Sequence, residues 1–174
     1  MSSPAQSAGP GRTLVAGIGN IFLADDGFGV EVARRLAEVD LPDGAEVGDY
    51  GIRGMHLAYD LLAGYDTTIL VDAVARGEEP GTVTLLEIDP SQPAVTGSSL
   101  DAHGMQPDAV LALLDTLGGT PGRVLLVGCE PAEVCDRIGL SAPVAAAVPH
   151  AVALVRDLLG EQSHRPAALR AGTS

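Results

Sequence analysis

The stretch Thr13-Leu14-Val15-Ala16-Gly17-Ile18-Gly19 is a short apolar run closing on Gly-x-Gly, and its reading decides the fold class. Such a run predicts a strand that ends in a turn. From Gly29 to Val39 the period changes: Val30, Val32, Ala33, Leu36 and Ala37 recur at helical spacing, with Glu31, Arg34, Arg35 and Glu38 between them. Ala45 to Tyr50 reads as a weaker strand. Gly54 to Ala63 reads as a helix with Met55, Leu57, Ala58, Leu61 and Leu62 on its apolar face.

The same alternation continues outward. Thr67 to Val71 is a continuous aliphatic run ending in Asp72, as expected of a strand buried on both faces. Thr82 to Ile88 is another strand, and the link Arg76 to Gly81 is too short for a helical crossover, which predicts an antiparallel edge strand. After a loop from Asp89 to Gly104 come a helix from Pro107 to Leu117, a central strand from Arg123 to Gly128, and a closing helix from Ala142 to Leu159. Strand and helix in turn predict an α/β three-layer sandwich, with a mostly parallel, roughly five-stranded twisted sheet and helices on both faces. Residues 12–160 form the single domain, between a Ser/Pro/Gly/Ala-rich tail at 1–11 read as disordered and a loose tail at 161–174.

Composition narrows the partners. The chain has 174 residues, enough for one core, and 23 Asp+Glu against 10 Lys+Arg give a net charge of −13. Every basic residue is Arg. Such a balance repels nucleic-acid phosphates and anionic lipid, so neither is expected as a partner. The apolar segment Ala145 to Val155 is broken by Pro149 and His150, short of the roughly 20 residues that span a bilayer. Two cysteines, Cys129 and Cys135, are too few for a disulfide framework and lack zinc-ribbon spacing; one buried and one incidental thiol are expected. With no basic and apolar leader, the expectation is a cytoplasmic protein. No heptad run stands out, so a monomer is the default.

Ligand groups in such sheets gather beyond the carboxyl ends of the strands. A dinucleotide reading of Gly17-x-Gly19 fails on detail: the third glycine of the fingerprint would fall at Phe22, and Asp25 and Asp26 stand where phosphates would sit. One acid there suffices for helix capping, and the second is left for another task. Asp72 closes the most apolar strand, where an unpartnered carboxylate is costly. His103 lies in the loop toward the next helix. His56, His150 and His164 fall in helical patterns or the tail. Two carboxylates and an imidazole brought together would suit a first-row divalent ion such as nickel, zinc, manganese or iron. Ser98 and Ser99 lie in no G-x-S-x-G elbow, which disfavours a serine hydrolase.

Gly17-x-Gly19-Asn20 followed by Asp25-Asp26-Gly27-x-Gly29 resembles the N-terminal signature of the nickel–iron hydrogenase maturation endopeptidases. Asp49-Tyr-Gly-Ile-Arg-Gly54, Val71-Asp72-Ala73, the His103 loop, Val127-Gly128 and Gly139-Leu-Ser141 follow in that family's order, covering roughly Thr13 to Leu159. The resemblance implies an endopeptidase that removes a C-terminal peptide from a hydrogenase large-subunit precursor after nickel insertion. It implies Asp26, Asp72 and His103 as the catalytic and metal-contacting positions; family members use Glu or Asp at the first. Nickel would come with the precursor, and no permanent cofactor is expected. Cleavage could run through a metal-polarised carbonyl, a metal-activated water or a carboxylate base. Asp49 is a candidate substrate-positioning residue. A non-catalytic metal- or precursor-binding chaperone using the same site is the alternative.

Overall fold

A computed structural model describes residues 11–90 and 107–164. The elements run β1 (Thr13–Ile18), a one-turn 3-10 helix (Ala24–Gly27), α1 (Phe28–Ala37), β2 (Ala45–Gly51), α2 (Gly54–Leu61), β3 (Thr67–Ala73), β4 (Val83–Ile88), α3 (Pro107–Thr116), β5 (Arg123–Cys129) and α4 (Ala142–Ser163). The five strands lie in the order β2-β1-β3-β5-β4. The pairs β1–β2, β1–β3 and β3–β5 are parallel, and β4 runs antiparallel to β5 at the edge, as the short 76–81 link requires.

The strand period of two sorts the core into two layers. Val15, Ile69, Val71, Leu125 and Val127 point to one face, where Phe28, Val32 and Leu36 of α1 and the buried stripe of α4 cover them. Leu14, Ala16, Ile18, Leu70, Val124 and Leu126 point to the other, under Leu57, Ala58 and Leu61 of α2 and Val110 and Leu114 of α3. Each such side chain contributes roughly 1.5–3 kcal/mol on burial, so both layers hold the sheet. The result is the expected three-layer sandwich.

Two details differ from expectation. Met55 and Leu62 stand exposed on α2, because the helix turns only Leu57, Ala58 and Leu61 to the sheet. The closing helix passes through Pro149 as expected but overruns its expected end at Leu159; α4 runs 22 residues and reaches Ser163, into the expected tail. Proline costs roughly 3 kcal/mol inside a helix. Here Pro149 and Ala145, whose carbonyl loses its donor, both lie on the exposed side. By length and hydropathy α4 is long and apolar enough to cross a membrane, but Val144, Val148, Ala151, Val155 and Leu159 pack it onto the sheet. The tails beyond residues 11 and 164, and the segment 91–106 with Ser98, Ser99 and His103, lie outside the described residues.

Candidate active site at the β1 and β3 ends

Strand order reverses between β1 and β3, because β1 leads outward to β2 while β3 leads toward β5 and β4. That switch point leaves a crevice at the carboxyl ends, where ligands of open α/β sheets bind. Register levels the strand ends there: Gly17 pairs with Asp49 on one side and with Val71 on the other. The helix α1 is drawn tightly onto this corner. A Cβ on Gly29 would come within 2.0 Å of the Val71 carbonyl oxygen and 2.4 Å of that of Ile18, so only glycine fits.

Gly19 makes the turn that brings the acids together. Its φ is +136°, and its N–H donates to the Gly51 carbonyl at 3.0 Å. A Cβ there would sit 1.8 Å from the Asp26 carbonyl oxygen and 3.8 Å from Asp72 Oδ1. The turn after β1 therefore lies close to both the backbone of the 3-10 helix and the Asp72 carboxyl. Asp26 is partly buried, and its Oδ2 accepts the Asn20 N–H at 2.8 Å.

Asp72 leaves β3 next to its last residue and is only 9% exposed. Burial, and then the negative charge of Asp26, push its carboxyl well above the usual carboxylate range, while the Ala73 N–H pulls it down by less. Two acids in electrostatic contact at a partly dry strand end repel each other when both are ionised, and a cation seated beside them would relieve both. The donor set is oxygen-only among the described residues, which contain no cluster of three or more His, Cys, Asp or Glu able to hold a metal by itself.

Adjacent acids take opposite parts. Asp25 is fully buried, and its carboxylate accepts four hydrogen bonds: from Ser141 N–H at 2.7 Å, Ser141 Oγ at 2.8 Å, Ala132 N–H at 2.8 Å and Glu133 N–H at 3.0 Å. Burial raises its pKa, but these donors outweigh it and hold the carboxyl below its usual range. The doublet was visible in the sequence and the resemblance singled out Asp26, but the inward anchoring of Asp25 was not legible, and Ser141 gave no signal beyond its Gly-Leu-Ser segment.

Asp49 is exposed on the edge strand β2. Its Oδ2 lies 3.6 Å from Arg34 Nε on α1, and its carbonyl accepts from the Arg53 guanidinium. A Cβ on Gly51 would be 3.8 Å from both Asp49 Oδ1 and the Gly19 carbonyl oxygen, so the Asp49 carboxyl lies near the same turn. The thiols divide as expected: Cys129 is buried at the end of β5 and Cys135 is exposed.

Relatives share this architecture. The family described as "HycI: Hydrogenase maturation protease" matches residues 30–158. The HupD hydrogenase expression/formation protein of Rhizobium leguminosarum bv. viciae is 38% identical over 146 residues, covering 81% of this chain and 70% of that protein. The hydrogenase 2 maturation protease of Escherichia coli K12 is 36% identical over 152 residues, covering 86% and 92%. Among solved structures, the hydrogenase maturating endopeptidase HybD from E. coli superposes with a TM-score of 0.75 at 33% identity, covering 86% of this chain and 93% of that one. A [NiFe] hydrogenase maturation protease HycI from Thermococcus kodakarensis gives 0.70 at 25% identity, covering 88% and 95%. On this sequence match and this fold, the chain belongs to the hydrogenase maturation protease family.

Proposed function

We propose that this protein is the endopeptidase that trims a C-terminal peptide from the nickel-loaded large-subunit precursor of a nickel–iron hydrogenase. It contacts the precursor's nickel through Asp26, Asp72 and His103. The observation that carries the reading is the Asp26–Asp72 pair: burial and mutual repulsion at the β1 and β3 ends leave two carboxylates that a cation would stabilise. The metal is cargo of the substrate. An empty precursor lacks the charge that offsets the two acids, so it docks poorly and escapes cleavage.

Exposed apolar side chains stand on loops at the same end, Phe22 after β1 and Ile52 after β2, as suits a macromolecular substrate. Hydrolysis needs a group that takes the proton of the attacking water and a proton for the leaving amine. A bound cation favours the ionised form of both acids, so a carboxylate at the site can take that proton as general base and pass it to the leaving amine. Asp49 steers the peptide near the Gly19 turn. In this reading the enzyme acts as a monomer in the cytoplasm and carries no metal of its own.

The test is a mass spectrum of purified precursor before and after incubation with the protein. The expected result is loss of one C-terminal peptide from nickel-loaded precursor and none from nickel-free precursor. Tight association without shortening would replace the protease with a precursor-binding chaperone.

A further inference from the structure

We infer that Asp25, which touches no candidate metal or substrate group, is the positioning residue for Asp26; its catalytic consequence rests on the protease reading above. The lock it makes is dense. Besides the four bonds to its carboxylate, its own N–H donates to the Glu133 carbonyl at 3.2 Å. Just before it, Ala24 N–H donates to the Arg137 carbonyl at 2.7 Å, and Arg137 N–H donates to the Phe22 carbonyl at 3.0 Å. Residues 22–25 are thus sewn to the loop between β5 and α4.

Ala24 is held at φ +50°, the one non-glycine residue with positive φ among those described. That conformation costs roughly 1–2 kcal/mol and persists only where surrounding contacts over-determine it. The strained residue sits two positions before Asp26, so the twist it imposes sets the direction in which Asp26 leaves the backbone. Downstream, Asp26 N–H donates to the Leu23 carbonyl at 3.1 Å, and its carboxylate closes on Asn20 N–H. The two ends of this loop are therefore fixed by different acids: Asp26 ties it to Asn20, and Asp25 ties it to a loop more than a hundred residues away.

Ser141 is committed to the same purpose. It is the N-cap residue of α4 yet makes no side-chain cap; its hydroxyl and its N–H both go to Asp25. A charge-assisted anchor of this kind is stiffer than neutral backbone contacts, because each donor is drawn by a full negative charge in a dry site.

The lock is tested with Asp25→Asn and the milder Ser141→Ala, each by two readouts. The first is amide hydrogen exchange at Asn20, whose N–H reports Asp26 directly, against Leu70 in the central strand. In Asp25→Asn, Leu70 is expected to speed up only by the factor that the loss of global stability gives, while Asn20, which opens locally, exchanges about tenfold faster or more. An Asn20 amide that keeps its wild-type rate, or that exchanges only at the rate of Leu70, would overturn the proposal. The second is cleavage of nickel-loaded precursor: kcat/KM is expected to fall about ten- to a hundredfold, with a raised KM as part of the loss because Asp26 contacts the precursor's nickel. Unchanged kcat/KM in the folded variant would also overturn it. Should Asp25→Asn fail to fold, Ser141→Ala decides on the same readouts, with smaller losses in the same direction. If wild-type protein cleaves nothing, the protease reading fails, and hydrogen exchange still decides the positioning of Asp26.

Discussion

Burial, and after it the negative charge of Asp26, hold the Asp72 carboxyl well above the usual carboxylate range. A folded-state pKa above the unfolded one means that Asp72 favours folding at low pH, and that this contribution is lost as pH rises through the folded value. Asp72→Asn removes the ionisation. Its melting temperature should exceed that of wild type at pH 8, with the difference shrinking toward pH 4, as scanning calorimetry would record. The same variant should lose cleavage by about a hundredfold or more, since a site tuned for chemistry carries a stability cost.

Asp25 has the opposite sign. Its folded pKa is depressed, so its contribution is present above the unfolded value and lost as pH falls through the folded one. Asp25→Ala strands four donors and should destabilise the protein by about 3 kcal/mol at pH 7. Urea titrations at pH 7 and pH 3 should show the gap to wild type narrowing in acid. A gap that is constant or widens would mean that the carboxylate is not the anchor.

Gly19→Ala should cost at least about 2 kcal/mol, because its methyl would meet the Asp26 carbonyl at 1.8 Å and its φ of +136° disfavours any side chain. Gly160→Ala, the same chemical change in open space within α4, should stabilise by about 0.5–1 kcal/mol. Denaturant midpoints of the two variants, moving in opposite directions, check this.

Thr68 is fully buried in β3 with a hydroxyl that finds no partner. Thr68→Val keeps the shape and removes the stranded group, so stability should rise by about 1 kcal/mol. Thermal melts would show a gain of about 2–4 °C for a domain of this size.

Cys129 is buried, and burial followed by the charges of Asp25 and Glu130 pushes its thiol up to about 11. Native protein treated with iodoacetamide at pH 8 should take up one adduct, at exposed Cys135, and a second only after unfolding. Peptide mapping by mass spectrometry distinguishes the sites.

Most of the architecture was legible because it rests on local periodicity. Apolar runs at Thr13 to Ile18, Thr67 to Val71 and Arg123 to Gly128 read as strands, and each is one in the fold. The antiparallel edge of β4 followed from a link too short to cross over. Placing Asp72 beside a strand end needed only the end of an apolar run. Met55 marks the limit: spacing set it on an apolar face, but how far the sheet reaches across α2 is a property of the packed layers, and Met55 is 63% exposed.

The sequence alone determined the strand and helix order, the parallel sheet with one reversed edge, and a pair of acids near the strand ends. Only the tertiary structure decided that Asp25 turns inward as an anchor, a part that neither its spacing nor the resemblance gave it. Neighbours in a chain share their local propensity, so nothing local separates them. What separates them is the set of donors at Ala132, Glu133 and Ser141, which lie 107 to 116 positions away and reach Asp25 only once α4 has packed beside α1. A hydrogen bond across that distance depends on the folded backbone, and it draws the Asp25 carboxylate away from the β1 and β3 ends, where Asp26 acts on Asp72.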